Sequence, residues 1–138
     1  MINMAKHILV VDDDQDISLM LHDRLKLLGF HVSTAGHGAE GIAMFEIMKF
    51  DGILLDIQMP VMDGLTMLEK VRERYPNIPV IMMTAELNKE KILQAMERGA
   101  NDYLLKPIDF DLLVKKWTKI FWTEEVHRSE DGTPPFPP

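Results

Sequence analysis

Five times along this chain a short apolar run gives way to a stretch in which apolar residues recur at helical spacing. That alternation is the pattern of a strand, a crossover helix and a second strand parallel to the first. It points to an α/β fold, a doubly wound five-stranded parallel sheet of (βα)5 type. The expected strands are His7 to Val11, His31 to Ala35, Gly52 to Leu55, Val80 to Met83 and Tyr103 to Leu105. Three of them are nearly unbroken hydrophobic runs, as strands covered by helices on both faces must be.

The helices follow from the same periodicity. Ile17, Met20, Leu21, Leu25 and Leu28 mark the first, which stops at Gly29, a residue suited to the left-handed conformation just past a helix end. Ala39, Ile42, Ala43 and Ile47 mark a second, Leu65, Leu68 and Val71 a third, and Ile92, Leu93 and Met96, ended by Gly99, a fourth. The fifth starts after Asp109, an expected N-cap, and carries Leu113, Trp117, Ile120 and Phe121. Trp117 and Phe121 are expected to pack on the sheet, and Trp122 to be partly exposed. From Thr123 the composition changes: residues 123–138 hold four acids, one Arg and four of the eight prolines. The chain is therefore read as one domain over 1–122, with 123–138 a disordered tail or the start of a linker.

Composition narrows the function. Fifteen Lys and Arg against 22 Asp and Glu leave a formal charge of −7, which disfavours direct nucleic-acid binding and attachment to anionic membranes. The absence of cysteine removes disulfides, thiolate metal sites and cysteine nucleophiles. The apolar runs near the start are only four or five residues long, so neither a signal peptide nor a membrane span is expected and a cytoplasmic location follows. Most of the 11 Met fall inside the apolar periodicity and read as core filler. The five His show no metal-ligand spacing and read as surface or strand-end residues.

In an open parallel sheet, ligands bind at the carboxyl ends of the strands. Strand one stops at Asp12, Asp13 and Asp14, strand three at Asp56, strand four at Thr84, and strand five at Lys106 followed by Pro107. Residues far apart in sequence thus converge on one edge. Carboxylates at close range raise one another's pKa unless a cation neutralises them, and an all-oxygen set of Asp12, Asp13 and Asp56 suits Mg²⁺ or Mn²⁺. The alternative for these acids is a solvated turn or a helix cap, a role expected of Asp14 or Asp16. Asp56 ends a run of apolar residues, where a charge is costly unless it is paired or functional. A structural ion pair to Lys106 is one explanation. A phosphoryl acceptor is the other, with a metal and Lys106 neutralising the equatorial oxygens and Thr84 donating to one of them.

Leu-Val-Val-Asp-Asp-Asp, Leu-Leu-Asp-Ile-Gln-Met-Pro-Val-Met-Asp-Gly, Met-Met-Thr-Ala and Tyr-Leu-Leu-Lys-Pro, in that order, resemble the response-regulator receiver domains of two-component signalling over about residues 6–122. The resemblance implies a flavodoxin-like fold and a phosphoacceptor at Asp56. It also implies Mg²⁺ held directly by Asp13, mainly through water by Asp12, and by the backbone carbonyl of Gln58. Thr84 and Lys106 would hold the phosphoryl oxygens, and Lys106–Pro107 would be cis. The donor would be a sensor histidine kinase or a His-phosphotransfer protein. Gly64 is expected to permit close backbone approach or a positive φ, and Ala85 to leave room for a phosphoryl group and an attacking molecule. Tyr103 is either an amphipathic strand residue with a wet hydroxyl or, as the resemblance implies, a rotamer switch that turns inward when Thr84 moves.

The output face would be helix four, strand five and helix five. Its Lys89, Lys91, Arg98, Asp102, Asp111, Lys115 and Lys119 can support a symmetric dimer or a partner site, or simply be solvated. A rival reading is a phosphatase resembling the haloacid-dehalogenase superfamily, since Asp12 and Asp14 also read as Asp-x-Asp after a first strand. Asp16 stands where that family usually has Thr or Val, and Asp56 would be left unexplained. A binding module that has lost phosphorylation is a third reading, with no motif residue missing to support it.

Overall fold

A computed structural model describes residues 6–85 and 89–128, with 122–128 described by backbone alone. Five strands alternate with five helices: β1 His7–Val11, α1 Gln15–Leu27, β2 His31–Ala35, α2 Gly38–Phe45, β3 Gly52–Asp56, α3 Gly64–Arg74, β4 Val80–Thr84, α4 Lys89–Glu97, β5 Asp102–Leu105 and α5 Phe110–Arg128. All strand pairs are parallel, in the order β2-β1-β3-β4-β5. The expected doubly wound (βα)5 architecture is what forms.

Strand alternation divides the core into two layers. Leu9, Val11, Ile53, Leu55, Val80 and Met82 face Met67, Leu68 and Val71 of α3 and Ala95 of α4. Ile8, Val10, Leu54, Ile81, Met83 and Leu104 face Leu21 and Leu25 of α1 and Leu113, Trp117 and Phe121 of α5. Trp117 and Phe121 stack with centroids 5.3 Å apart and rings 11° from parallel. Every residue of β3 and β4 is buried, so these central strands can be apolar throughout, whereas the edge strand β2 buries fully only Ala35.

Helix ends follow from local chemistry. Asp14 caps α1 by accepting from the amides of Asp16 and Ile17, Asp63 caps α3 through Thr66, and Asp109 accepts from Leu112 at the start of α5. His37 does the same work for α2, its Nδ1 accepting from the Glu40 amide at 3.2 Å. Gly29 and Gly99 take positive φ, 96° and 105°, just beyond α1 and α4. Arg72 of α3 then ties down the end of α4, donating to the Gly99 carbonyl through Nε and Nη2 at 3.0 and 2.7 Å and to Asn101 Oδ1 at 3.1 Å.

Five of the expected elements need adjusted bounds, and α2 is one of them: it stops at Phe45 and leaves Ile47 exposed beyond its end. β3 and β4 each run one residue further, to Asp56 and Thr84, because the backbones of both residues stay in register with the neighbouring strand. β5 starts one residue earlier, at Asp102, which pairs with Ile81. α5 continues to Arg128, six residues into the segment read as a tail; residues 129–138, and the side chain of Trp122, lie outside what is described. Glu124, Glu125 and Arg128, part of that composition change, are good helix formers.

Core tightness is testable at Gly52, where an added Cβ would lie 2.7 Å from Trp117 Cη2. Gly52→Ala is expected to destabilise by about 1–3 kcal/mol through overpacking. At Gly36 the nearest obstacle is the Glu40 carboxylate at 3.8 Å, so Gly36→Ala is expected to be nearly neutral; urea titration of both variants checks the contrast.

Candidate functional site

Because β1, β3, β4 and β5 are successive neighbours, their carboxyl ends present Asp12, Asp56, Thr84 and Lys106 along one edge. Asp12, Asp56 and Thr84 are buried, at 1%, 4% and 3% exposure. The Lys106 ammonium reaches back from β5 and bridges both acids, 2.8 Å from Asp12 Oδ2 and 3.3 Å from Asp56 Oδ2. The Lys106 amide donates to the Thr84 carbonyl at 2.8 Å, and the Lys106–Pro107 bond is cis, as expected. The pairing expected between Lys106 and Asp56 is therefore present but shared, and its shorter arm goes to Asp12.

Backbone amides finish the positioning. Asp12 Oδ1 accepts from the Asp14 amide at 2.9 Å, and Asp56 Oδ1 is 3.4 Å from the Gln58 amide that donates to it. Gly64 resolves as a close-approach residue: a Cβ there would overlap the Asp56 carbonyl oxygen and lie 2.8 Å from Ile57 Cα. Its amide donates to the Ile57 carbonyl at 2.8 Å, which clamps the start of α3 to the strand end.

The loop between Asp56 and α3 holds a feature the sequence did not disclose. Val61 sits at φ 70° and is 97% exposed, while the Met62 amide donates to the Pro60 carbonyl at 2.8 Å in a γ-turn. A β-branched residue in the left-handed region is strained. Beside this loop a cavity of about 410 Å³ is lined by Asp13, Gln58, Asp63 and Lys91 among others.

Asp12, Asp13 and Asp56 can each offer one carboxylate oxygen, all within 4.8 Å of one another, which is the expected oxygen set. Asp13 and Gln58 are exposed beside the buried pair. Among the described residues the partner of Asp12 Oδ2 is the Lys106 ammonium, 2.8 Å away. Two buried carboxylates against one ammonium leave residual negative charge, so the donor set fits a hard divalent cation. Asp14 stays outside the cluster, exposed and committed to the α1 cap, so an Asp12/Asp14 phosphatase pair finds no support. Ala85 is exposed next to Thr84, and Tyr103 points outward at 37% exposure while Leu104 faces the core.

Electrostatics follow from burial. Desolvation first, and then the charge of Asp12, push the Asp56 carboxyl up to about 6 against the opposing pull of Lys106. Burial works against the Lys106 ammonium, but its hydrogen bond to Asp12 and the charges of Asp56 and Asp12 outweigh that and hold it above the ordinary lysine value.

A carboxyl whose folded pKa exceeds its unfolded value contributes stability below the unfolded pKa and loses it as pH rises through the folded one. Asp56 titrates at about 6 in the fold against 3.8 unfolded, so its ionisation costs stability at neutral pH. Asp56→Asn is expected to stabilise the metal-free protein at pH 7 by on the order of 1–3 kcal/mol. The gain should shrink as pH falls through about 6 toward 4, where the wild-type acid is protonated. Urea unfolding with chelator across that pH range checks it.

Residues 8–118 match the family profile of the response regulator receiver domain. The transcriptional regulatory protein ZraR of Salmonella typhimurium is 39% identical over 125 residues, covering 91% of this chain but 27% of its own length. PrrA of Mycobacterium leprae is 39% identical over 112 residues, covering 81% of this chain and 48% of its own. The chain thus spans a quarter to a half of these relatives. Among solved structures, the chemotaxis protein CheY4 of Vibrio cholerae superposes with a TM-score of 0.80 at 33% identity, over 84% of this chain and 98% of that one. TrrA of Thermotoga maritima, solved in complex with Mg²⁺ and BeF, gives a TM-score of 0.76 at 32% identity over 83% and 98%. With the profile spanning all five strands and the site residues standing at the ends of four of them, the chain belongs to the response regulator receiver domain family of two-component systems.

Proposed function

We propose that Asp56 accepts a phosphoryl group from a phosphorylated histidine of a sensor kinase or His-phosphotransfer protein, and that the aspartyl phosphate resets the output face. A carboxylate oxygen of Asp56 attacks phosphorus, the P–N bond of the donor breaks, and the imidazole leaves as the acyl phosphate forms. Attack by water on phosphorus later returns inorganic phosphate and the free carboxylate. The observation that carries this reading is the single ammonium, Lys106, bridging two buried carboxylates at 2.8 and 3.3 Å.

Each side chain has a stated task. Lys106, already beside Asp56, offsets the charge that builds on the transferring oxygens, and Thr84 at the end of β4 supplies a hydroxyl to one of them. Asp12, Asp13, Asp56 and the Gln58 carbonyl hold Mg²⁺ or Mn²⁺, an assignment supported by the clustered oxygens and by the Mg²⁺ complex of TrrA. The bound ion supplies charge neutralisation at the phosphoryl oxygens. Exposed Ala85 keeps the approach to Asp56 open. The chain turns over no metabolite; it catalyses its own phosphorylation and dephosphorylation. A kinase or His-phosphotransfer donor is a reading that fits a cytoplasmic location. No described helix is long and apolar enough to cross a membrane.

The output face is more apolar than its charges suggested. Leu93 and Met96 of α4, Tyr103 and Leu105 of β5 and Leu112 of α5 are all exposed, and Lys116 of α5 pairs with Asp102 of β5 at 2.8 Å. That combination supports a symmetric dimer through α4, β5 and α5. Tyr103, one residue from buried Leu104, turns inward when Thr84 is drawn to the phosphate, because the acyl phosphate stabilises only the state in which Thr84 approaches it.

Incubation with acetyl phosphate and Mg²⁺ should add one phosphoryl group by intact mass, with no addition in Asp56→Asn or under chelation. Label retained in Asp56→Asn but lost in Asp12→Asn would overturn the assignment. Beryllofluoride with Mg²⁺ should alter amide exchange in α4, β5 and α5; changes confined to residues 57–63 would defeat the output-face proposal.

A further inference from the structure

At the amino edge of the sheet, opposite Asp56, lies a groove that phosphoryl chemistry does not use. The ends of α2 and α3 and the loops entering β3 and β4 enclose about 480 Å³ walled by Phe45, Phe50, Tyr75 and Ile78. Phe45 is the hub, its ring centroid 5.0 Å from Phe50 and 5.0 Å from Tyr75. Lys49 and Arg74 stand exposed at the rim, and among the described residues no acid lines the groove and neither cation forms an ion pair.

Aromatic-lined grooves take proline-rich extended segments, whose restricted backbone loses little entropy on docking. A cationic rim selects an acidic one. Residues 129–138 of this chain combine both properties: they read Ser-Glu-Asp-Gly-Thr-Pro-Pro-Phe-Pro-Pro and contain no Lys or Arg.

The reach is sufficient. α5 starts just past the carboxyl end of β5 and runs back for 19 residues. That is about 28 Å of helix, against about 17 Å for a five-residue strand, so Arg128 overshoots the amino edge. Ten further residues span up to about 33 Å. A second groove, of about 260 Å³ and lined by Asp102, Lys116, Lys119 and Ile120 among others, shares Asn77 with the aromatic one.

We propose that the aromatic groove of Phe45, Phe50, Tyr75 and Ile78 is an intramolecular docking site for residues 129–138, with Pro134–Pro138 against the rings and Glu130 and Asp131 toward the cations. The chain beyond α5 is thereby held at the edge farthest from Asp56.

The absence of cysteine makes a nitroxide on Thr133→Cys unique in the full chain. Amide signals of Phe50, Tyr75, Asn77 and Ile78 should lose intensity and recover on reduction of the nitroxide, with Asp12 and Asp56 unaffected. Adding Lys49→Glu and Arg74→Glu, both at exposed positions, should abolish the loss, and further Glu130→Lys and Asp131→Lys should restore it. Uniform broadening, or a groove signal indifferent to the charge reversals, overturns the proposal. So does broadening in isotope-labelled chain mixed with unlabelled nitroxide-bearing chain, since a second copy would then deliver the segment.

Discussion

One ammonium shared by two buried carboxylates is the constraint on which the site depends. Asp12 and Asp56 sit side by side because β1 and β3 are neighbours, and each is nearly excluded from water. Removing two such charges from solvent costs several kcal/mol apiece, and a single cation cannot balance both. The deficit appears as an acid at Asp56 pushed up to about 6. A closed structural ion pair would leave no such residue of charge, and the excess negative charge here suits a further cation.

The fold supplies that arrangement economically. Parallel strands place every carboxyl end on one edge, and full burial of β3 and β4 lets the central strands be apolar until their last residues, Asp56 and Thr84. Gly64 then lets α3 start directly against the Asp56 carbonyl, so the helix and the acid share one rigid mount. By contrast Tyr103 and Leu105, on the edge strand, alternate with buried Leu104 and face outward. Asp56 is held by buried strands on both sides, while Tyr103 and Leu105 present their side chains from the sheet edge.

Much of this was legible in the sequence because both signals are local. Apolar alternation located all five strands and helices, and polar residues ending apolar runs located Asp12, Asp56, Thr84 and Lys106. What was not legible depends on space. Whether Lys106 leans toward Asp56 or Asp12 is set by which strands are neighbours, and Gly64 could serve a turn or a close contact until the Asp56 carbonyl was placed beside it. Asp56 and Thr84 were left outside their strands because polarity ends an apolar run but does not end backbone pairing. The end of α5 was missed for a related reason: composition shifted at Thr123 while the helical backbone went on.

The position of Lys106 in the chain also orders assembly. When the polypeptide is made from its amino end, β1, α1, β2, α2 and β3 emerge well before β5, so Asp12 and Asp56 can meet before their counter-charge exists. A nascent sheet lacking β5 would bury two like charges with nothing to offset them, and Lys106 arrives only with the last strand, at an edge. The same electrostatics that readies the mature site thus penalises the incomplete one. A receiver cut short of β5 therefore lacks the one charge that Asp12 and Asp56 share.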